Sequence, residues 1–585
     1  MPSAGHTVRE LQLSIGQHSD KGRKESNQDF HGALIPDQPA LGLKGIAIAL
    51  ADGISSSQVS RIASESAVKG FLMDYYCTSD SWSVKTSAQR VIAATNSWLH
   101  AQTRRGPHTY DKDKGYVCTF SALVVKSTAA HIFHVGDSRI YRLVGQSLEQ
   151  LTNDHRLTIS SEQSYLSRAL GMDSQIEIDY QQLPLKAGDV FILATDGVYE
   201  HVDARFYANA IEDYPNDLDA VAQKIVAEAY TQGSPDNLTI QIVRVDTLPD
   251  GAASEAFEQV AALPLPPLLD ARMLFDGYRI IRQIHASSRS HIYLAIDTRD
   301  DTRVSLKIPS IDLRGDEAYL KRFMLEEWVA RRLNSAHVLK PGPQDRPHNY
   351  LYIVTEFVDG QTLTQWMIDH PKPDLQTVRD IVEQIARGLR AFHRMEMLHQ
   401  DVRPENIMID KTGTVKIIDF GSTKVTGVME ATPDADHDQI LGTAQYTAPE
   451  YFLGDSGSAR SDLYSLGVIT YQMLTGTLPY GAQMARARSK SLQRKIIYAP
   501  VRDKNRDVPV WMDAAIRRAV HPDPFKRQEA LSEFLHDLRH PNESFLNTTA
   551  TPLMERNPLL VWKGISFVLA CITLVLLASQ FGTVR

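Results

Sequence analysis

Four aspartates stand where runs of small or apolar residues stop: Asp52 in "LADG", Asp137 in "VGDSR", Asp196 in "ATDG" and Asp236 in "SPDN". One Asp-Gly alone reads as a turn. Four at the ends of strand-like segments constrain the chain further. A strand end is a rigid mount for a carboxylate, and convergent carboxylates repel unless cations neutralise them. Oxygen donors without histidine or cysteine select Mg²⁺ or Mn²⁺ over zinc. Two such ions can share a water and deprotonate it for attack on phosphorus. The strand-like runs are "GIAIALADG" (45–53), "HIFHVGDSRIYRL" (131–143), "DVFILATDG" (189–197) and "NLTIQIVRV" (237–245). Between them, "RIASESAVKGFLMDYY" and "SAQRVIAATNSWLHAQ" carry helical apolar spacing. The pattern predicts packed β-sheets covered by helices over 8–246.

Beyond this domain the texture changes. Residues 247–270 are rich in proline and alanine and read as a flexible linker. A second domain, 271–540, opens with strands and becomes mainly helical after about Leu375. Residues 541–560 read as a polar spacer. Gly564–Gly582, "GISFVLACITLVLLASQFG", contains no charge, and about 19 residues at ~1.5 Å each nearly cross a hydrocarbon core of ~30 Å. Residues 561–582 are therefore expected to be a C-terminal transmembrane helix. Arg556 and Lys563 precede the charge-free run, so the large N-terminal portion is expected in the cytoplasm, tethered to the inner membrane by a single-pass tail anchor. The N-terminus lacks the apolar segment of a secretory signal. A net charge of −8 with no long basic run argues against nucleic acid as a partner. Only Cys77, Cys118 and Cys571 are present, far apart, which argues against a disulfide framework or a zinc site.

The first domain resembles the metal-dependent PPM family of serine/threonine protein phosphatases. The resemblance rests on "NQD" (27–29), "ADG" (51–53), "VGDSRIYRL" (135–143), "LTNDHRL" (151–157), "RALG" (168–171), "ATDGV" (194–198) and "GSPDNLT" (233–239). It implies an αββα sandwich and a site holding two to three Mg²⁺ or Mn²⁺ ions. Asp52 would bridge two of them, with the Gly53 carbonyl on the same cluster. Asp196 and Asp236 would complete the first metal. Asp137 would touch a third, weaker ion, and Asp29 would act through water. The family's phosphate-holding arginine falls at Lys24, with Arg23 beside it; lysine supplies charge without a bidentate fork. Ser55 and Ser56 replace a glycine pair, and "CTF" (118–120) replaces Gly-Thr-Thr.

In the second domain, "HQDVRPENIMID" (399–410), "VKIIDFGS" (415–422) and "GTAQYTAPE" (442–450) follow one another at short spacing. Phosphoryl transfer needs a carboxylate near the acceptor hydroxyl, an amide on one magnesium and a carboxylate on the metals; Asp401, Asn406 and Asp419 suit those tasks. The set resembles the eukaryotic-like protein kinases, with "SDLYSLG" (461–467) and "DPFKR" (523–527) as further landmarks. The resemblance implies a two-lobed domain that binds ATP and Mg²⁺. Lys307 would pair the α/β-phosphates, Glu326 would hold that lysine (Glu327 being a near rival), and "EFVDG" from Glu356 would form the hinge that meets adenine. Thr443 implies serine/threonine acceptors.

Three departures matter. "IHASSRSHIYLA" (284–295) should cover the phosphates but has no glycine; His285, Ser287 and Ser290 occupy the glycine positions. Glycine there permits unusual dihedrals and close backbone approach to phosphate, so ATP affinity is expected to be weakened, with serine hydroxyls as substitute donors at Ser287 and Ser290. Arg403 replaces a lysine and can still reach the γ-phosphate. Gln400 replaces the arginine that binds a phosphorylated activation loop, so phosphorylation of Thr423 or Thr426 is not expected to be the main on-switch.

The combined expectation is an α+β multidomain chain resembling bacterial bifunctional kinase–phosphatases, acting on phosphoprotein substrates and on its own kinase domain. The rival reading is an active phosphatase regulated by a nucleotide-binding pseudokinase; a third is a kinase whose phosphatase-like domain only recruits phosphoproteins.

Overall fold

The computed structural model describes residues 10–106, 111–160, 163–249, 263–313, 316–343, 346, 348–431, 444–542 and 558–581. Thr443, the expected marker of acceptor choice, lies outside them, as does most of the expected spacer. The chain divides into two compact units. One is Met1–Asp359 with Gly388–Gln400 and Ile417–Leu441; the other is Gly360–Arg387 with Asp401–Lys416 and Gly442–Arg585.

The first unit opens with two antiparallel five-stranded sheets. One runs in the order Gln12–Asp20, Leu238–Thr247, Val190–Ala194, Arg139–Val144, Ser147–Gln150; the other in the order Asp179–Pro184, Ala129–Val135, Phe120–Lys126, Ile46–Ala51, Phe30–Leu34. Strand Ile46–Ala51 shows why they stack. Its side chains alternate across the pleat, and both sets are buried. Ile46, Ile48 and Leu50 meet Leu123, Phe191, Leu193 and Val243 between the sheets. Ala47, Ala49 and Ala51 face Ala63, Ala67, Phe71, Ala88 and Ile92 on helices Ser60–Cys77 and Val84–Arg105. On the other side, Ile192, Ile240 and Ile242 pack on Val221, Ile225 and Ala229 of helix Leu218–Thr231. The layers are helix, sheet, sheet, helix, and the aspartate-bearing turns leave the strand ends.

The same unit contains a third sheet, in the order Leu274–Phe275, Tyr278–Ala286, Ser290–Asp297, Arg303–Pro309, Ile353–Glu356, with helix Glu317–Arg332. The expected flexible linker needs correction in its second half. Leu263 and Leu265 pack with Tyr319, Phe323 and Met324 of this helix, and Leu269 joins the core of the third sheet. Burying these leucines offsets the entropy of fixing the segment.

The second unit is mainly helical, with Leu363–Asp369, Ala459–Thr475, Val510–Ala519 and Leu531–Asp537, and its strands Gly360–Thr362 and Ile407–Asp410 pair in a three-stranded sheet completed by Val415–Ile417. Arg527 is buried and grips Glu450 bidentately at 2.8 and 2.7 Å. The expected membrane span falls on helix Pro558–Phe581, whose side chains are described for 562–574 and are exposed throughout. Among the described residues no helix is long and apolar enough to cross a membrane.

Candidate active sites

Asp52 follows directly on strand Ile46–Ala51, Asp196 follows strand Val190–Ala194 one residue on, after Thr195, and Asp236 precedes strand Leu238–Thr247 with Asn237 between. Thr119 fixes the first of these turns: its Oγ1 accepts from the Asp52 amide at 2.9 Å, and its own amide donates to the Asp52 carbonyl at 2.8 Å. The threonine of "CTF" thus keeps the turn in register. Gly53 is wedged between the Gln28 and Ser60 carbonyl oxygens, where a Cβ would come within 2.8 Å of each. Asn237 ties down the facing loop; it accepts from the Gln28 amide and donates to the carbonyls of Lys21 and Ser26.

The electrostatics show the aspartates converging. Burial pushes Asp29 up to about 6, with Asp236 adding repulsion. Burial, then Asp137 and Asp236, push Asp196 up to about 7. Asp52 is driven well above the carboxylate range by burial, then by Asp29 and Asp196. Asp29 accepts from Thr195 Oγ1 at 3.0 Å through one carboxyl oxygen, and its other oxygen is buried without a partner. An unshared buried carboxyl oxygen among mutually repelling carboxylates fits a hard divalent cation. Among the described residues no three such groups are already arranged around one metal-sized point.

A residue that sequence reasoning missed explains part of this. Arg156 stands among the carboxylates and bonds to Asp137, to Asp196 at 2.7 Å and to Glu200 at 2.9 Å. Its only signal in the sequence was a bulky cation inside "LTNDHRL". Lys24 belongs to the site, with Nζ 3.3 Å from Asp236 and 2.9 Å from Ser55 Oγ. Arg23 does not: its guanidinium lies over Tyr230 and donates to the carbonyls of Tyr230 and Gly233. Those exposed helix-end carbonyls capture its fork and remove it from the expected phosphate site.

In the third sheet, Lys307 Nζ lies 2.6 Å from Glu326 and 3.2 Å from Asp419. Burial opposes its charge, but Asp419 and Glu326 hold it protonated, above the usual lysine range. Lys307 in turn holds Asp419 below the carboxylate range, while burial pushes Glu326 up to about 7. Glu327 is engaged by Arg331 one turn on, so the rivalry between the two glutamates resolves on Glu326. Asp419 has φ 65, in the left-handed region, a strained conformation typical of functional carboxylates. Glu356 exchanges backbone and side-chain bonds with Lys340, at 3.0 and 2.9 Å.

The glycine-free stretch forms a hairpin between Tyr278–Ala286 and Ser290–Asp297. None of residues 285–290 has a positive φ, so this turn makes no backbone demand for glycine. The serines serve each other: Ser287 Oγ donates to the Ser290 carbonyl at 3.1 Å and accepts from the amides of Arg289 and Ser290. The expectation that the Ser287 hydroxyl substitutes as a phosphate donor is thereby corrected, because its proton closes the turn. Ser290 is buried and His285 exposed.

In the second unit Asn406 Nδ2 donates to both the carbonyl and the carboxylate of Asp401 at 3.0 Å, and Arg403 Nε lies 3.3 Å from the same carboxylate. The aspartate is thus fixed by its own loop, with a cation beside it.

Comparison with known families separates the two groups of residues. Residues 17–229 match the family model described as Protein phosphatase 2C, and residues 278–545 match that described as Protein kinase domain. Among curated relatives, the serine/threonine-protein kinase PrkC of Bacillus subtilis is 29% identical over 277 residues, 46% of this chain and 41% of its own. PknL of Mycobacterium tuberculosis is 33% identical over 217 residues, 37% of this chain and 54% of its own. The chain spans about half or less of the length of these relatives. Among solved structures, the PknI kinase domain of Mycobacterium tuberculosis aligns with 47% of this chain and all of its own at 24% identity and TM-score 0.37. The catalytic domain of the phosphatase PstP, solved with two manganese ions, aligns with 40% of this chain and all of its own at 22% identity and TM-score 0.34.

Proposed function

Given a chain that carries a protein phosphatase 2C domain followed by a protein kinase domain, we propose that it both adds phosphate to and removes it from serine and threonine residues of proteins. One observation carries the reading: Lys307, Glu326 and Asp419 are joined in one ion-paired group, so the nucleotide-facing half of the kinase site is assembled despite its glycine-free hairpin. That favours an active kinase over a nucleotide-sensing pseudokinase.

In the kinase reaction, Lys307 neutralises the α/β-phosphates of ATP while Asp419 and Asn406 are the side chains for Mg²⁺. Asp401 accepts the acceptor hydroxyl's proton, and Arg403 offsets charge on the transferred group. In the phosphatase reaction, Asp52, Asp196, Asp236 and Asp137 are the residues to hold Mg²⁺ or Mn²⁺, with the Gly53 carbonyl beside them; such ions supply a water of lowered pKa and polarise the phosphoryl oxygens. Lys24 draws the substrate phosphate in by charge. Asp29, which accepts from Thr195 Oγ1, would act on the cluster through water.

We further propose that helix Pro558–Phe581 tethers the protein to a membrane with both domains in the cytoplasm. Trp562, Phe567, Val568, Leu569, Ile572 and Leu574 are all exposed on it, around its whole circumference, which water disfavours and lipid does not. Vesicle flotation of the full chain tests this: recovery in the soluble fraction without detergent would refute it.

The activities are tested with two substitutions in the full chain. Asp52→Asn is expected to lower Mn²⁺-dependent release of phosphate from a phosphothreonine peptide at least about hundredfold. In the Asp52→Asn background, transfer from γ-labelled ATP to casein is expected, and Asp401→Asn should remove it. Absence of Asp401-dependent label at millimolar ATP would restore the pseudokinase reading.

A further inference from the structure

We propose that residues Asp80–Thr86 and Lys126 of the phosphatase domain form a docking surface for the kinase domain's own activation segment, and that this contact holds the segment in its working arrangement. The inference rests on the reading of residues 278–545 as an active kinase. All the groups involved lie within one compact unit.

After Asp419, the segment continues as strand Lys424–Val425, paired with Met397–Leu398, and then as helix Thr426–Ala431. A six-residue helix does not persist by itself; something must hold it. Lys126 Nζ donates to the Gly427 carbonyl at 2.6 Å and pairs with Glu430 at 3.2 Å. The Gly427 amide donates to the Ser81 carbonyl at 3.0 Å, and the Val84 amide donates to Glu430 at 3.0 Å. Lys126 has no exposed side-chain surface. A buried ammonium is costly without a partner, and both of its partners here belong to the activation segment.

A second anchor lies beside the first. Glu396 sits just before the Met397–Leu398 strand with φ 54, a conformation that favours glycine. Its carboxylate accepts from the Ser83 amide at 2.7 Å and from Thr86 Oγ1 at 2.6 Å. Its carbonyl accepts from the amide and hydroxyl of Thr426. Trp82 Nε1 donates to the Arg394 carbonyl at 3.0 Å. A third anchor reaches the helix that carries Glu326: Arg332, in its last turn, pairs with Asp80 at 3.0 Å. One short surface therefore holds the activation segment, the strand it pairs with and the helix of the Lys307–Glu326 ion pair. The fit is close. A Cβ on Gly427 would stand 2.6 Å from the Asp80 carbonyl oxygen and 2.7 Å from that of Trp82.

The contact is not an enzyme–substrate complex. Lys126 ends strand Phe120–Lys126, whereas Thr119, which grips Asp52, precedes its other end. Seven residues of strand put about 23 Å between surface and carboxylates. Thr423 is buried and the Thr426 hydroxyl is bonded. The segment is thus held by a fixed protein surface, in a chain where Gln400 stands before the catalytic aspartate.

The test uses the full chain with Asp52→Asn, so that label is not erased, and adds Gly427→Val or Glu430→Gln. Both are expected to lower kcat for transfer to casein about tenfold or more, with the KM for ATP changed less than about threefold. Amide hydrogen exchange should speed up together in 80–86 and 424–431. With Asp52 intact, hydrolysis of p-nitrophenyl phosphate should be unchanged in both variants. Transfer within about twofold of the parent in both variants, a rise in transfer, or retained exchange protection would overturn the proposal. If the parent itself transfers nothing, the kinase reading fails instead, and the exchange data alone decide the docking: coupled loss of protection supports it and independent behaviour overturns it.

Discussion

Glu326 and Glu327 are adjacent carboxylates on one helix with different partners. Glu326 meets Lys307 in a buried pair; Glu327 meets Arg331 on the same helix. Breaking a buried pair leaves an uncompensated charge, whereas a pair along a helix face contributes little. Glu326→Gln is expected to reduce kinase kcat/KM for ATP about tenfold to hundredfold and Glu327→Gln less than about twofold, read by steady-state phosphoryl transfer. The sequence placed both at the right helical position and could not separate them, because the choice depends on a lysine on another strand. Arg156 was less legible still. It stands among Asp137, Asp196 and Glu200, where it neutralises the carboxylates that a divalent ion would also neutralise. Arginine and metal therefore compete for the same charge. Arg156→Gln is expected to tighten Mn²⁺ binding about tenfold, about 1.4 kcal/mol at an effective dielectric near that of a protein surface, measured by calorimetric titration. Unchanged or weaker binding would show that the arginine supports the metal rather than displacing it.

At the scale of elements, the strand ends were readable because four such aspartates recur in one domain, and the unbroken apolar run "IAIALA" is what a strand buried on both faces carries. The hairpin was readable only as an anomaly. Its lack of glycine suggested a damaged phosphate cover, yet the turn uses ordinary backbone angles and closes on Ser287; composition alone does not report dihedrals. The strand-end carboxylates lead to a pH prediction. Asp29 and Asp196 are raised from 3.8 to about 6 and about 7. A carboxyl raised in the folded state stabilises it below the unfolded pKa and loses that stabilisation as pH rises through the folded value. In EDTA, the phosphatase domain should therefore melt at a lower temperature as pH climbs from about 5 to about 8. Added Mn²⁺ should remove most of that slope, because cations replace the protons. Thermal melts of the full chain across this range, with and without Mn²⁺, check both halves; an EDTA profile that rises with pH would contradict the assignment of these carboxylates to one repelling cluster.

At the scale of the molecule, the two families were legible from motifs, since each motif is local in sequence. The contact between the domains was not. It joins residues 252 to 346 positions apart, none of which lies in a motif, and Lys126 reads in the sequence as an ordinary charged strand end while being buried in the structure. Its energetic consequence is reciprocal. If docking on the phosphatase surface favours the arrangement in which Lys307, Glu326 and Asp419 meet, a nucleotide that binds that arrangement must favour docking by the same free energy. A non-hydrolysable ATP analogue with Mg²⁺ stabilises the kinase domain by mass action in any case. Transmission beyond it is the distinguishing effect: hydrogen exchange in 80–86 should slow on adding the analogue to the full chain, and this slowing should disappear in Gly427→Val while the analogue still binds. Slowing that survives the substitution would mean that the two domains communicate by another route. Absence of slowing in the parent would mean that the surface and the nucleotide site are coupled by less than about 1 kcal/mol, the low end of useful allosteric coupling.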